Sequence, residues 1–284
     1  MSGRGHGLRH EEAFLPPAPA DGWGRRFGAL ARLYGEAAVP VLRGLHVCVV
    51  GLGGVGCWTA EALARSGVGA LTLIDGDTVC ETNANRQLHA LAGTVGRPKA
   101  EVMAERIAAI HPDCRLTPVA EYLTDASLEA LVDPARGYDY VVDAIDSIRF
   151  KAALIARCRR LKIPIVTTGA AGGLTDPTRV EVRDLSRTRN DPLAAKVRAR
   201  LRARHGFSRN PRRSFGVPCV HSTEQQRYPR PDGTVGHEKP GVCGVSLDCR
   251  AGYGSAAFVT AVFGMAAAAE VVNRTLRRAL ARTP

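Results

Sequence analysis

The fold of this chain is decided by the stretch Leu45-His46-Val47-Cys48-Val49-Val50-Gly51-Leu52-Gly53-Gly54-Val55-Gly56. Its first half is short, largely apolar and bounded by glycine, which is typical of a buried parallel strand. Gly51, Gly53 and Gly56 match the pattern G-x-G-x-x-G, in which glycines allow a tight turn and bring the backbone close to a phosphate at the start of the next helix. That helix is predicted over Trp58–Ser66. The unit therefore predicts a nucleotide-binding site and leaves the nucleotide open.

Strands and helices alternate along the chain around this unit. Further strands are predicted at Ala70–Ile74, Cys114–Val119, Tyr140–Val142, Ile163–Thr167 and Arg179–Val182. Helices are predicted at Arg25–Val41, Ala100–Ile110 and Arg149–Leu161. The alternation predicts an α/β fold with a Rossmann-type, doubly wound, mostly parallel sheet that carries helices on both faces.

The positive charge of the chain is concentrated in one segment. The 284 residues include 39 Lys and Arg against 27 Asp and Glu, a formal net charge of +12. Between residues 184 and 230 there are 12 basic residues and 3 acidic ones, in a predicted helix, Pro192–His205, and a loop rich in Arg, Pro and Gly. Because Lys and Arg neutralise phosphates, the segment favours a polyanionic partner. A solvated basic surface is the alternative.

The chain is expected to divide into four segments. These are a disordered leader (1–22), a nucleotide-binding core (23–183), a basic insertion (184–250) and a C-terminal helix on the core or at a dimer interface (251–284). The apolar run Ala256–Val272 contains Thr260 and Glu270, so a buried or interface helix is favoured over a membrane span. The eight cysteines are too sparse for a disulfide scaffold and no secretory signal precedes them, which indicates a cytoplasmic protein.

Polar side chains follow the second and fourth predicted strands, where open α/β sheets bind ligands. Asp75 is placed to accept hydrogen bonds from ribose hydroxyls. The cations Arg86 and Lys99 suit a triphosphate better than the pyrophosphate of NAD. Asp146 is placed to hold the Mg²⁺ that bridges ATP phosphates. Solvated surface cations and a helix N-cap are the alternatives for these positions.

Together these motifs resemble the adenylating family of ubiquitin-activating, thiamine-biosynthesis and molybdopterin-synthase-activating enzymes. The resemblance is carried by Gly51-x-Gly53-Gly54-x-Gly56, Asp75-x-Asp77, Asn83-x-Asn85-Arg86-Gln87, Lys99 and Asp143-x-x-Asp146. Longer strings are similar to the branch that dehydrates threonylcarbamoyladenosine in tRNA, among them Asn85-Arg86-Gln87-Leu88-His89-Ala90 and Asp191-Pro192-Leu193-Ala194-Ala195-Lys196. The likeness runs from about Trp23 to the C-terminal helix.

The resemblance implies a role for each residue of the site. The residues expected to bind ATP are Gly51, Gly53, Gly54, Gly56, Asp75, Asp77, Asn83, Arg86, Gln87, Lys99 and Asp146. Arg86, Lys99 and Asp146 would also act in catalysis, and Asp146 would hold Mg²⁺. In the family an arginine near the N-terminus reaches the ATP site of the neighbouring subunit, which implies a homodimer. Arg32 is the first candidate for this arginine and Arg26 the second.

The implied reaction is ATP-dependent dehydration of threonylcarbamoyladenosine in tRNA, which begins with adenylation of the threonyl carboxylate. The basic segment would hold the tRNA backbone, and a sulfur-relay or sulfur-acceptor protein stays open as a further partner. One alternative is adenylation of a ubiquitin-like or sulfur-carrier protein, although the chain has none of the Cys-x-x-Cys pairs that bind zinc in those relatives. The others are an NAD(P)-dependent oxidoreductase and a non-catalytic, nucleotide-sensing tRNA binder.

Three cysteines bear on the choice between these branches. Cys219 lies where a family member could place a thiol nucleophile, and the nearby arginines would lower its pKa. A non-catalytic role is favoured, because cyclisation of an acyl adenylate can be intramolecular. Cys243 and Cys249 are six residues apart with no second pair, which does not favour a zinc site.

Overall fold

Seven strands form the central sheet of the protein. The structure is a computed structural model, and it describes residues 21–238 and 254–281. These strands are β1 His46–Val50, β2 Ala70–Ile74, β3 Arg115–Val119, β4 Tyr140–Asp143, β5 Ile165–Thr168, β6 Val180–Asp184 and β7 Pro218–Ser222. Their order across the sheet is β3-β2-β1-β4-β5-β7-β6. Neighbouring strands are parallel except β6, which runs antiparallel to β7. A separate small pair consists of β8 Tyr228–Pro229 and β9 Val235–Gly236.

Helices cover both faces of the sheet. They are α1 Gly22–Tyr34, α2 Ala38–Gly44, α3 Gly56–Arg65, α4 Lys99–Ile110, α5 Leu128–Leu131, α6 Ile148–Leu161, α7 Pro192–Arg204 and α8 Ala257–Leu280. Successive strand residues point to opposite faces. Val47 and Val49 join the core under α1–α4 and α8, whereas Cys48 and Val50 join the core under α5, α6 and α7. The predicted α/β fold with a mostly parallel sheet is confirmed.

One central strand escaped prediction from the sequence. Pro218–Ser222, β7, is fully buried and lies between β5 and β6, although it belongs to the segment that was expected to be a basic insertion. Its five residues stand between arginine-rich and polar stretches, so hydrophobic periodicity does not reveal them. The segment 184–250 therefore contributes a strand to the central sheet in addition to its charge.

The single helix expected over Arg25–Val41 is two helices. The chain breaks at Gly35, which has a φ of +86° and ends α1, and Pro40 lies in the first turn of α2. A proline is tolerated in the first turn because no intrahelical hydrogen bond is lost there. Glycine, not proline, therefore ends the first helix.

The C-terminal apolar run forms α8 and packs against the core as predicted. By length and composition alone, α8 could cross a membrane, since an 18-residue stretch of it has a mean hydropathy of 1.2. Within the protein, however, 44% of this stretch is buried. Its buried residues contact α3, α2 and the sheet. Of the expected leader, residues 1–20 lie outside the described residues, and the division into four segments stays a prediction.

Candidate functional site

A tight glycine turn leads from β1 into α3. Gly51 has a φ of +87°, which only glycine adopts without strain, and a Cβ on it would lie 2.8 Å from the Ala144 carbonyl oxygen. A Cβ on Gly56 would lie 1.7 Å from the Gly51 carbonyl oxygen. Around Gly53, its chain neighbours aside, no atom of the described residues lies within 4 Å of where a Cβ would be. The turn needs glycine at 51 and 56 for its own packing, and at 53 it leaves the backbone open to a ligand.

Two carboxylates and a lysine meet where β2 ends, beside this turn. Asp75 accepts hydrogen bonds from the backbone N–H of Leu52 at 2.6 Å and of Asp77 at 2.8 Å. Burial raises the pKa of Asp75, and the Lys99 charge partly offsets that effect. Lys99 opens α4, is 4% exposed, and bonds the Asp77 carboxylate through Nζ at 2.8 Å. The Tyr122 hydroxyl donates to the other Asp77 oxygen at 2.6 Å.

The Arg86 side chain lies over the glycine turn. Its Cγ is 3.2 Å from where a Cβ on Gly54 would sit, so glycine at this position makes room for it. Its guanidinium donates to the Thr82 carbonyl oxygen at 2.9 Å. The Trp58 indole donates to the Arg86 carbonyl oxygen at 3.0 Å, and the Thr260 hydroxyl donates to the same oxygen at 3.4 Å. Helices α3 and α8 thus both fix the loop that carries Arg86.

Asn83 and Gln87 lie in the same loop and are buried, at 4% and 6% exposure. The Asn83 Oδ1 accepts the Cys80 backbone N–H at 3.2 Å, and the Asn83 carbonyl accepts the Gln87 N–H at 2.8 Å. The Gln87 Oε1 has no hydrogen-bond partner among residues 21–238 and 254–281. Asn83 shapes the loop, and Gln87 holds an unused acceptor within it.

Asp146 stands just beyond the end of β4 and is exposed. The turn that carries it is held by Asp143, which is fully buried and bonds Lys151 Nζ at 3.0 Å and the Thr167 hydroxyl at 2.6 Å. Lys151 also donates to the Ile145 carbonyl oxygen at 2.9 Å. Removing one partner of a buried ion pair is costly, so this pair fixes the position of Asp146.

Arg32 and Arg26 do not join the site of their own chain. Both are exposed on α1, whose Trp23 indole bonds the Gly67 carbonyl at 2.9 Å, next to the amino end of β2. Near Arg32, the Tyr34 hydroxyl bonds Asn273 on α8. Thr260, which contacts the Arg86 loop, lies 13 residues earlier on the same helix, and at 1.5 Å per residue the two residues are about 20 Å apart. The strands begin at this end, so both arginines lie opposite the edge that carries Asp75 and Asp146.

The arginines of α7 differ in their surroundings. Arg198 is half-buried and donates to the Thr188 hydroxyl, and Arg202 donates to the Ser208 carbonyl at 3.3 Å and lies over the Phe215 ring. Both guanidinium groups already have partners inside the protein, so Arg198 and Arg202 are poorly placed to bind a polyanion. The exposed arginines at the end of α7 and in the following loop, here called the basic cluster, are Arg204, Arg209, Arg212 and Arg213.

Cys219 lies inside the sheet, on β7. It is 1% exposed, and burial raises its pKa well above the usual range. The expected lowering of its pKa by arginines is wrong, because desolvation of the thiolate outweighs the charge of Arg198 nearby. Cys219 packs as a core residue. Cys243 and Cys249 lie outside the described residues.

The family model described as the ThiF family matches residues 27–283. The chain belongs to the ThiF family. It is 53% identical to the tRNA threonylcarbamoyladenosine dehydratase of Escherichia coli K12, over 92% of this chain and 97% of that one, and 45% identical to the enzyme of that name from Haemophilus influenzae, over 92% and 97%. A solved structure of the E. coli dehydratase in complex with ATP has a TM-score of 0.81 and 49% identity, covering 93% of this chain and 98% of the other.

Membership of the ThiF family confirms the resemblance predicted from the motifs. The matched residues include every predicted site residue from Arg32 to Asp146, and Arg26 lies just before them. Three side chains that shape the site were not predicted: Trp58, Tyr122 and Lys151. Lys151 follows Asp143 by eight residues on an otherwise apolar helix face, a signal that could have indicated a buried partner for that carboxylate.

Proposed function

We propose that this chain dehydrates threonylcarbamoyladenosine in tRNA in an ATP-dependent reaction. The observation that carries the proposal is one edge of the sheet, where the turn open at Gly53, the Asp75–Lys99 group and Asp146 face the same side. Within the ThiF family, near full-length likeness to the E. coli dehydratase favours the tRNA substrate over a carrier protein. The chain is accordingly a soluble tRNA-modifying enzyme.

ATP suits the chemistry of this edge. The backbone N–H groups at the start of α3 and the helix dipole bind phosphate, and Gly53 lets the phosphates approach closely. Asp75 uses one lone pair of each oxygen for a backbone N–H, and each carboxylate oxygen can accept once more, which leaves capacity for ribose hydroxyls. Lys99 and Arg86 bind the phosphates that the start of α3 does not reach.

Mg²⁺ fits the same edge through Asp146. This ion binds through one or two carboxylates and completes its shell with phosphate oxygens and water. Asp146 is exposed and has no hydrogen bond or ion pair with any described residue. The described ranges hold no cluster of three or more metal-ligating side chains, so ATP itself would supply most of the protein-bound ion's ligands. When bound, Mg²⁺ would neutralise charge on the departing pyrophosphate.

The reaction has two steps. The threonyl carboxylate attacks the α-phosphorus of ATP, and pyrophosphate leaves with the electron pair of the broken P–O bond. The carbamoyl group of the same substituent then attacks the activated carboxyl carbon and loses a proton, and AMP leaves with one carboxylate oxygen. The net change in the nucleoside is loss of one water. Lys99 and Arg86 stabilise the negative charge that develops on the phosphates.

A homodimer completes the proposal. Beside Tyr34, α8 and Val182 border a groove of about 680 Å³ that is largely apolar and also contains Glu270 and Arg277. Phe258, Val262 and Met265 expose further apolar surface on α8. An apolar surface of this extent suits a second copy of the chain. Arg32 would then enter the ATP site of the partner subunit. A sulfur-relay protein stays a prediction.

The proposal is tested with tRNA that carries threonylcarbamoyladenosine. Incubation with ATP and Mg²⁺ is expected to give AMP, pyrophosphate and a modified adenosine lighter by one water in mass analysis. Asp146→Ala should keep its melting temperature, because the side chain is unpartnered, and lose AMP formation. Pyrophosphate release without a change in tRNA would point to a protein acceptor. A melting temperature raised by NAD and not by ATP would favour an oxidoreductase.

A further inference from the structure

A second pocket, of about 530 Å³, opens beside the carboxyl end of β7 and the start of α7. None of the residues assigned to ATP lines it. Its walls include Asn190, Ala195, Arg198, Gln226, Tyr228 and His237. The pocket is therefore lined mainly by polar side chains, with the rings of Tyr228 and His237, and it is distinct from the nucleotide site.

Gln226 supplies an acceptor that no described residue uses. The side chain is 4% exposed, and its Nε2 donates to the Gly172 carbonyl at 3.0 Å, while its Oε1 is buried without a hydrogen-bond partner in residues 21–238 and 254–281. A buried polar atom left unpaired costs free energy until a ligand or water satisfies it. Tyr228, which is also buried, contributes an aromatic ring to the wall of the same pocket. Proteins bind unstacked RNA bases by stacking them on aromatic rings and by hydrogen bonds from polar side chains to their edges.

The pocket and the nucleotide site share one edge of the sheet. Asp191, which caps α7, accepts the Ala170 backbone N–H at 3.0 Å, and Ala170 follows β5 directly. The strand β5 lies between β4, which leads to Asp146, and β7. Two strand spacings of roughly 4.8 Å put the pocket about 10 Å from the end of β4. A nucleoside in the pocket can extend a side arm along this edge toward Asp146.

The helix α7 connects the pocket to the basic cluster. It begins at Pro192 beside the pocket and ends at Arg204, and its 13 residues span about 20 Å. The exposed arginines of the cluster suit the phosphates of a nucleic acid strand, which position it without reading its bases. One flipped nucleotide would fit the polar pocket at the start of α7. The phosphates of its flanking backbone would fit the arginines at the other end of the helix.

We propose that this pocket takes the threonylcarbamoyladenosine nucleoside, flipped out of its RNA loop, while the basic cluster binds phosphates of the same strand. The inference rests on the proposed function, because it assumes that substrate. Gln226 Oε1 accepts an N–H of the carbamoyl group, Tyr228 packs against the purine, and the threonyl carboxylate extends toward the α-phosphorus of ATP. Flipping costs least for a base that is already unpaired, which a loop nucleotide is.

Two tryptophan variants test the pocket. Ala195 and Ala199 are both exposed and lie one turn apart on α7, but only Ala195 lines the pocket. Ala195→Trp should fill it and raise the KM for modified tRNA about tenfold or more, as expected when at least one good hydrogen bond to the substrate no longer forms. The dissociation constant for ATP should not change. Ala199→Trp is the matched control and should behave as wild type in both measurements.

Gln226→Met is the second variant and serves if Ala195→Trp proves unstable. It keeps the length of the side chain, removes the unpaired oxygen together with the Nε2 donor to Gly172, and should raise the same KM about tenfold. The free threonylcarbamoyladenosine nucleoside should inhibit wild type at lower concentration than adenosine, and this difference should vanish in both pocket variants.

Three outcomes overturn the inference. The first is an unchanged KM in both pocket variants, and the second is an equal loss of ATP affinity, which would assign the pocket to the nucleotide. The third is a wild-type protein that forms no dehydrated nucleoside in the tRNA, which refutes both the proposed function and the role of the pocket. The third outcome is seen with the wild-type protein alone, whereas the first two need the variants. Failure of the proposed function can therefore be distinguished from failure of the pocket assignment.

Discussion

Replacing Lys99 by methionine tests the electrostatics of the nucleotide site. Lys99 is 4% exposed and bonds Asp77 at 2.8 Å, so methionine fills a similar space and removes the charge together with this bond. A hydrogen bond from a charged group to phosphate is worth about 1.5–3 kcal/mol, which corresponds to a loss of ATP affinity of roughly 10- to 150-fold. Because Asp77 is half-exposed, the loss of this ion pair should lower the free energy of unfolding by about 1 kcal/mol.

The matched control is Arg97→Met. Arg97 lies two residues before Lys99, just outside α4, and it pairs with Glu105 on the surface. Titration calorimetry with ATP should show the loss for Lys99→Met and wild-type affinity for Arg97→Met, and urea unfolding gives the stability of each. ATP affinity within twofold of wild type in Lys99→Met would refute the role of this lysine.

Three further predictions concern the turn, the core and the surface. Gly53→Ala should melt as wild type and bind ATP more weakly, whereas Gly56→Ala should unfold readily, since its Cβ would meet a carbonyl oxygen at 1.7 Å; thermal unfolding with and without ATP separates them. Burial lowers the pKa of His89 to about 4, so the unfolded chain binds a proton that the folded one does not between about pH 4 and 6.5. Stability should therefore fall by up to about 3 kcal/mol as the pH falls through this window, and urea titrations should show a flatter profile for His89→Gln. Replacing the basic cluster by alanine should reduce the salt dependence of tRNA binding by about 0.7 in slope for each phosphate that the protein no longer neutralises, and an unchanged slope would place the phosphate-binding surface elsewhere.

The glycine turn and the alternation of strands and helices were predictable because local rules fix them. Gly51 needs a positive φ and Gly56 has no room for a Cβ, so the pattern in the sequence reports a steric requirement of the backbone. The parallel strands β1 and β2 are buried along almost their whole length, which makes them short apolar runs.

Other features were not predictable because tertiary contacts decide them. The strand β7 owes its place to pairing with β5 and β6, which lie far away in sequence. The arginines of α7 follow one another at every second position from Arg198 to Arg204, so no helix face is marked as buried or exposed. Packing against Thr188 and Phe215 then decides which arginines the solvent reaches.

In the proposed reaction, a substrate carboxylate attacks the α-phosphorus of ATP at this edge of the sheet. The most direct measurement uses tRNA whose threonyl carboxylate carries oxygen-18, incubated with the enzyme and unlabelled ATP, followed by mass analysis of the nucleotides released. We expect AMP that contains one labelled oxygen, together with unlabelled pyrophosphate. Unlabelled AMP formed together with dehydrated nucleoside would show that the carboxylate does not attack the phosphorus.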